Sequence, residues 1–392
     1  MIPVINYHLI NDPRLQSCGF STDTVKELDN LNWMVRWSGQ SYFNTTRGLD
    51  NLTLPGQPLV DLFELDIVHN FDPNFSMTWA EITDCKAQEL LKLSRIHNKK
   101  IAVGWSGGID STVIMVALLK NASLEDLSRI VCVTTKTAVW ENPYLFYNFI
   151  VPKVSVVDYD AYIKNQNAEN INQHFYVQGM PADQLQGGIA NSTLGLFEDS
   201  SYARIPWKDT TRLQHYLGLF VKDEQIVKWL INKVSENIES VDVPITSCFN
   251  FIWWMNFNYN WAGNVTWEYN HSYVSRHKIP CSIWKRNAFF WFSDTLYQKW
   301  AMLAHQNLEI LYGKNFDTWK LPSKNYIYEY TKDEYQIHYK TKQGSYGRKS
   351  FSGNTFNWFG VMNNDRVLTL DNDLDEICSL FPDTVNKSAV QT

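Results

Sequence analysis

Ser106-Gly107-Gly108-Ile109-Asp110-Ser111 is the stretch whose residue types and spacing are best suited to chemistry. Two adjacent glycines let the backbone turn sharply and approach a ligand closely, since neither carries a Cβ. An apolar run ending Ile101-Ala102-Val103-Gly104-Trp105 precedes the turn, and Thr112-Val113-Ile114-Met115-Val116-Ala117-Leu118-Leu119 follows it. The context therefore predicts strand, tight turn, helix. Backbone N–H groups at such a helix start, together with the aligned peptide dipoles, favour an anion such as phosphate. Ser106 and Ser111 add hydroxyls, and Asp110 adds a hard oxygen ligand suited to Mg²⁺. No Lys-Ser or Lys-Thr follows the glycines at the spacing of a Walker-type loop, so the cradle is of another kind.

A second constellation is Gly179-Met180-Pro181-Ala182-Asp183-Gln184-Leu185-Gln186-Gly187-Gly188, which follows the apolar run His174-Phe175-Tyr176-Val177-Gln178. A carboxylate there, beside the first turn, can share a magnesium ion with Asp110, because Mg²⁺ on substrate phosphates is held by one or two protein carboxylates.

The first motif resembles the PP-loop of the ATP pyrophosphatases, pattern SGGxDS, which split ATP into AMP and pyrophosphate. With the second motif, the chain is similar to the synthetase domain of asparagine synthetases and β-lactam synthetases. Their segment G-x-G-A-D-x-x-x-G-G is followed by Gly179 to Gly188 with Pro181 replacing one glycine. Arg286 and the run Asn287 to Asp294 resemble that family's R-x-P-F-x-D stretch, and Lys340-Thr341-Lys342 resembles its R-x-K segment. The resemblance spans about residues 80–350. It implies that Ser106, Gly107, Gly108, Asp110, Ser111 and Gly179 hold ATP and that Asp110 and Asp183 bind Mg²⁺. It further implies that Lys342 neutralises charge developing on the α-phosphate, with Asp110 beside it in the catalytic machinery. The reaction implied is adenylation of a carboxylate and transfer to ammonia or another amine.

Departures from that family shape the expectation. Position 2 is Ile rather than a nucleophilic cysteine, and the segment before the first motif is short for a glutaminase domain. The expectation is a ligase without glutaminase activity, supplied with ammonia, another amine, or a separate glutaminase partner. Met180 stands where the family has Glu or Tyr near the acceptor, which puts aspartate as substrate in question. Two other readings stay open: a PP-loop enzyme modifying a nucleotide or tRNA base, and a nucleotide-binding regulatory protein without turnover.

The elements that must position these residues follow from the pattern. Apolar runs at 99–105, 130–135, 154–158 and 174–178 alternate with helical segments at 84–97 (capped by Asp84), 111–120 and 142–150. Such alternation predicts an α/β fold with a doubly wound, mostly parallel sheet, its ligands at the carboxyl ends of the strands, and the resemblance implies that this sheet is of the adenine nucleotide alpha hydrolase kind. Residues 1–80 read as a small β or irregular N-terminal region, 81–210 as the ATP-binding core, 211–350 as its helical continuation, and 351–392 as a hairpin and tail. The aromatic runs Phe251 to Met255 and Ala288 to Phe292 read as helical core segments, with base stacking as the functional alternative.

Composition narrows the partners. Lys plus Arg total 35 against 41 Asp plus Glu, a balance opposed to general binding of nucleic acid or anionic membranes. No apolar run reaches the roughly 18 residues of a membrane span and the start lacks a signal-like pattern, so a cytoplasmic protein is expected. The six cysteines form no CxxC pair and read as reduced thiols, and His271, His277 and Cys281 lack a fourth zinc ligand.

Overall fold

The computed structural model describes residues 70–164, 168–187, 200–219, 224–260 and 286–338, with Val68, Ile283 and the hairpin residues 360–363 and 366–369. The chain divides into two compact units, one formed by Asn70–Gly188 and His277–Lys342 and the other by the remainder.

The first unit is built on five parallel strands: β1 (Lys100–Trp105), β2 (Ile130–Thr134), β3 (Ser155–Asp158), β4 (His174–Gln178) and β5 (Ala288–Phe290), ordered β3-β2-β1-β4-β5. This is the α/β architecture that the alternating pattern predicts. β1 and β2 are almost wholly buried, as a strand covered on both faces must be, so they read as continuous apolar runs. β5 corrects one expectation. Ala288-Phe289-Phe290 extends the sheet beside β4, and only Trp291–Ser293 coils, into a 3-10 turn.

The chain leaves β1 in one direction and returns to β4 on its other side. Order therefore reverses between β1 and β4, which opens a crevice at their carboxyl ends.

Helices frame that crevice. α1 (Trp79–His97) starts at a capping box in which Thr78 and Glu81 satisfy each other's backbone N–H groups, five residues ahead of the Asp84 start expected from the sequence. α2 (Ile109–Asn121) is buried from Ser111 to Leu119, an apolar helix at the centre of the unit. α3 (Lys136–Glu141) follows β2, and α4 (Ala182–Leu185) follows β4.

In the second unit, α5 (Thr210–Gly218), α6 (Glu224–Glu239) and α7 (Cys248–Met255) surround an aromatic core. Phe251, Ile252, Trp253 and Trp254 are 0 % exposed there, so those rings are core packing and offer no face to a base. Trp254 Nε1 donates to Asn237 Oδ1 at 2.8 Å, which lets the indole be buried without an orphaned donor. The expected hairpin is present as antiparallel Gly360–Asn363 and Arg366–Thr369.

The chain re-enters the first unit for α8 (Thr295–Ala304) and α9 (Leu321–Thr331), so the described residues 286–338 belong with the sheet. Three of its helices are fastened at one carboxylate. Asp84 on α1 accepts from Lys120 Nζ at 2.6 Å and Asn121 Nδ2 at 2.8 Å, both on α2, and from Tyr326 Oη on α9 at 2.5 Å. That node fixes α9 against α2, and the start of each helix carries a residue of the candidate site. No helix among the described residues is long and apolar enough to cross a membrane.

Candidate active site at the carboxyl ends of β1 and β4

The glycine turn sits at the crevice. Gly107 has φ +77°, a left-handed conformation that glycine adopts without steric cost. The space around it makes the same demand: a Cβ there would lie 2.3 Å from the carbonyl oxygen of Ala138 and 2.9 Å from Cβ of Glu141. α3 is thus pressed against the turn. Gly108 caps α2 with no side-chain hydrogen bond, so the first turn of the helix is left to its backbone N–H groups.

The two serines knit the turn together. Ser111 Oγ lies 3.0 Å from Ser106 Oγ, accepts from the Ser106 N–H at 3.1 Å and donates to the Gly108 carbonyl at 3.2 Å. Ser111 is buried and Ser106 exposed. These bonds hold the loop in shape, and the Ser106 and Gly108 N–H groups are used within it, donating to Ser111 Oγ at 3.1 Å and Ser106 Oγ at 3.4 Å.

β4 delivers the second motif alongside. A Cβ on Gly179 would lie 3.2 Å from Cβ of Asp110 and 3.3 Å from the Ser111 nitrogen, so the end of β4 passes directly over the start of α2. Past Gly179 the chain turns into α4 with Asp183 in its first turn. The loop beyond is tied to the α8–α9 region: Tyr312 Oη donates to the Gln186 carbonyl at 2.6 Å, and Ser323 Oγ donates to Gln186 Oε1 at 3.1 Å.

Asp110 and Asp183 converge on one cation, and that cation is Lys320. Its Nζ lies 2.5 and 2.6 Å from the two carboxylate oxygens of Asp110 and 2.6 Å from Oδ1 of Asp183. Lys320 is the N-cap of α9, with φ 50°, and its side chain is 4 % exposed. Burial alone pushes the pKa of this ammonium down. The charges of Asp110 and Asp183 and their hydrogen bonds outweigh burial, so the pKa stands above the ordinary lysine value. The group is therefore a permanent positive charge facing the crevice.

No family model, curated protein or solved structure matches this chain.

Of the residues singled out from the sequence, the structure brings Ser106, Gly107, Gly108, Asp110, Ser111, Gly179 and Asp183 to one place. Lys342, Gly188, Cys18, His271, His277 and Cys281 lie outside the described residues. Arg286 and Asp294 are described and serve elsewhere. Arg286 precedes β5, at the opposite end of the sheet from the glycine turn. Asp294 caps α8 by accepting from the Leu296 N–H at 2.9 Å and pairs with Lys86 Nζ at 2.9 Å.

Lys320 is the functional candidate that sequence reasoning missed. The only local signal is Pro322, which marks the first turn of a helix and so places Lys320 at its start.

The donor set can be tested against the magnesium expected there. Two carboxylates already share one positive group at 2.5–2.6 Å, so their oxygens are disposed around a single cation position. Among the described residues no group of three His, Cys, Asp or Glu gathers to hold a metal. Two carboxylates suit Mg²⁺ whose remaining ligands are waters and substrate phosphates, and do not suit a metal caged by protein alone. Asp110 and Asp183 fit the ion in the first sense.

Proposed function

We propose that this chain is an ATP-dependent, AMP-forming ligase that activates a carboxylate as its adenylate and passes the acyl group to ammonia or another amine, without hydrolysing glutamine. One observation carries the reading: a glycine turn, two carboxylates and a buried ammonium from three separate segments meet at the strand-order reversal of a parallel sheet. The adenine nucleotide alpha hydrolase-like fold is part of the same proposal, supported by strand order β3-β2-β1-β4-β5 and by the turn following β1.

Each group has work suited to its chemistry. Backbone N–H groups at the start of α2 bind the triphosphate, with Ser106 and Ser111 holding the turn open to it. Asp110 and Asp183 would hold Mg²⁺, which supplies charge neutralisation on the phosphates when bound. The substrate carboxylate attacks the α-phosphorus, the bond to the bridging oxygen breaks, and pyrophosphate leaves with its electron pair. Lys320 faces that charge from a buried, preorganised position. Such groups contribute more than they do in water, because they need no reorganisation as charge develops. The amine then attacks the acyl carbon and AMP departs.

In this reading Lys320 acts on that charge because, among the described residues, its ammonium reaches both carboxylates, while Lys342, to which the family resemblance gives the role, lies outside the described residues. The test is isotope exchange. Reversible adenylation moves labelled pyrophosphate into ATP only when the carboxylic substrate is present, so a pool of amino and other carboxylic acids should start exchange that is absent without it. Exchange that ignores the pool, or none with any carboxylate, removes the ligase reading.

A further inference from the structure

The position between Asp110 and Asp183 is occupied by an ammonium in the protein alone, although it is where those carboxylates would hold a divalent ion. We propose that Lys320 closes the metal position in the nucleotide-free chain, so that the divalent cation binds only together with a polyphosphate that draws the ammonium away. The inference rests on the reading of Asp110 and Asp183 as metal-holding residues, and it adds an order of binding.

Charge counting supports it. Asp110, Asp183 and Lys320 sum to −1, and adding a divalent ion without phosphate turns the cluster to +1 around a side chain that is 4 % exposed. Two cations sharing two carboxylates in a partly buried crevice repel strongly, since interaction energies rise as the local dielectric falls. A triphosphate brings about four negative charges and reverses the balance: phosphate oxygens take the ammonium, and the carboxylates are left to the metal.

The geometry limits the alternatives. Lys320 is the N-cap of α9, and the Asp84 node holds that helix to α2 through Tyr326, Lys120 and Asn121. Its root cannot retreat without breaking those bonds. Because the side chain is buried, its exchange of partners happens inside the crevice. The contact lengths agree with this division of labour. Oxygens at 2.5–2.6 Å from Nζ would have to close to about 2.0–2.1 Å to bind Mg²⁺, and the ammonium stands at the point they would close on.

Mn²⁺ binding to the full, nucleotide-free chain tests the proposal, followed by the loss of the electron paramagnetic resonance signal of free Mn²⁺. Wild type should show no site tighter than about 1 mM, the weak end of oxygen-ligand sites. Lys320→Met removes the competing charge and should gain at least about tenfold in Mn²⁺ affinity, equivalent to about 1.4 kcal/mol. Adding Asp183→Asn to Lys320→Met should abolish the gain. A wild-type Kd below about 100 µM without nucleotide overturns the proposal, as does a natively folded Lys320→Met that gains nothing. If Lys320→Met fails to fold, Lys320→Gln, which keeps a donor for the carboxylates, carries the same comparison.

The titration contains no ATP, so its outcome is separable from that of the ligase reading. Gain of a Mn²⁺ site without any pyrophosphate exchange would leave the closed metal position standing and remove the ligase.

Discussion

Replacing Gly107 with Ala attacks the site at its narrowest point, and its cost can be worked from two independent facts. At φ +77° an L-residue carries a penalty of about 1–2 kcal/mol. The new methyl would also sit 2.3 Å from the carbonyl oxygen of buried Ala138, a backbone atom of α3, so relief requires moving the turn or the helix. Forcing a methyl into a packed site costs about 1–3 kcal/mol, which brings the sum to about 2–5 kcal/mol. At about 2–4 °C per kcal/mol for a unit of this size, calorimetry should show the transition of the sheet-bearing unit lowered by about 4–20 °C. Isothermal titration with ATP-Mg²⁺, run well below that transition, should show binding weakened by at least about tenfold, because displacing the turn misaims the N–H groups at the start of α2. Gly218→Ala is the control: its Cβ meets nothing within 4 Å, so it should be neutral or stabilise by about 0.4–1 kcal/mol. A Gly107→Ala protein with an unchanged Tm and wild-type ATP affinity would refute both the steric argument and the role of the turn.

Four further perturbations bear on the account. Lys320→Ala should reduce kcat for AMP formation by about 10²–10³-fold with a much smaller change in ATP affinity, and Asp183→Asn should depress turnover with the circular dichroism spectrum retained; equal losses in kcat and binding would make Lys320 a ground-state binding residue. His305 is buried, and burial outweighs its hydrogen bond to the Ala301 carbonyl to bring its pKa down to about 3. The unfolded chain then binds the extra proton between pH 6.5 and 3, so stability is complete above 6.5 and falls as pH drops, by up to about 1.4 kcal/mol per unit; in urea denaturation at several pH values His305→Gln should flatten that slope, and an unchanged slope would assign it to other groups. Burial pushes the Cys132 and Cys248 thiols up to about 12, whereas Cys85 is exposed, so iodoacetamide on the native protein followed by peptide mass spectrometry should label Cys85 well before the other two.

The parts of this molecule that were legible in the sequence are those encoded locally. The run 99–105, the glycine pair and the apolar stretch after Ser111 lie within a few residues of one another, and each limits what the next can be. Strand, turn and buried helix follow from them, and Asp110 is placed with them. Asp183 was legible for the same reason, since Gly179 ends a strand whose neighbours were recognisable.

Ala288 to Phe292 misled because a strand buried on both faces shows no period of two, and a five-residue aromatic run fits a helix core equally well. The start of α1 was also within reach. Thr78-Trp79-Ala80-Glu81 has the spacing of a capping box, but Asp84, the residue favoured as cap, lies inside the helix and bonds to Lys120, Asn121 and Tyr326. Lys320 was hidden for a different reason. It is one of 35 basic residues, its flanks carry no phosphate-binding pattern, and its importance arises only when the chain returns to the sheet and sets α9 beside α2. A contact made across 210 positions of sequence leaves no local trace.

The most direct test of the central claim is phosphorus NMR of ATP-Mg²⁺ incubated with the full chain, ammonium and a pool of carboxylic acids. The account predicts AMP and pyrophosphate in equal amounts, dependent on the pool and abolished by Asp183→Asn. ADP and inorganic phosphate, or an ATP spectrum unchanged with every carboxylate supplied, would contradict it.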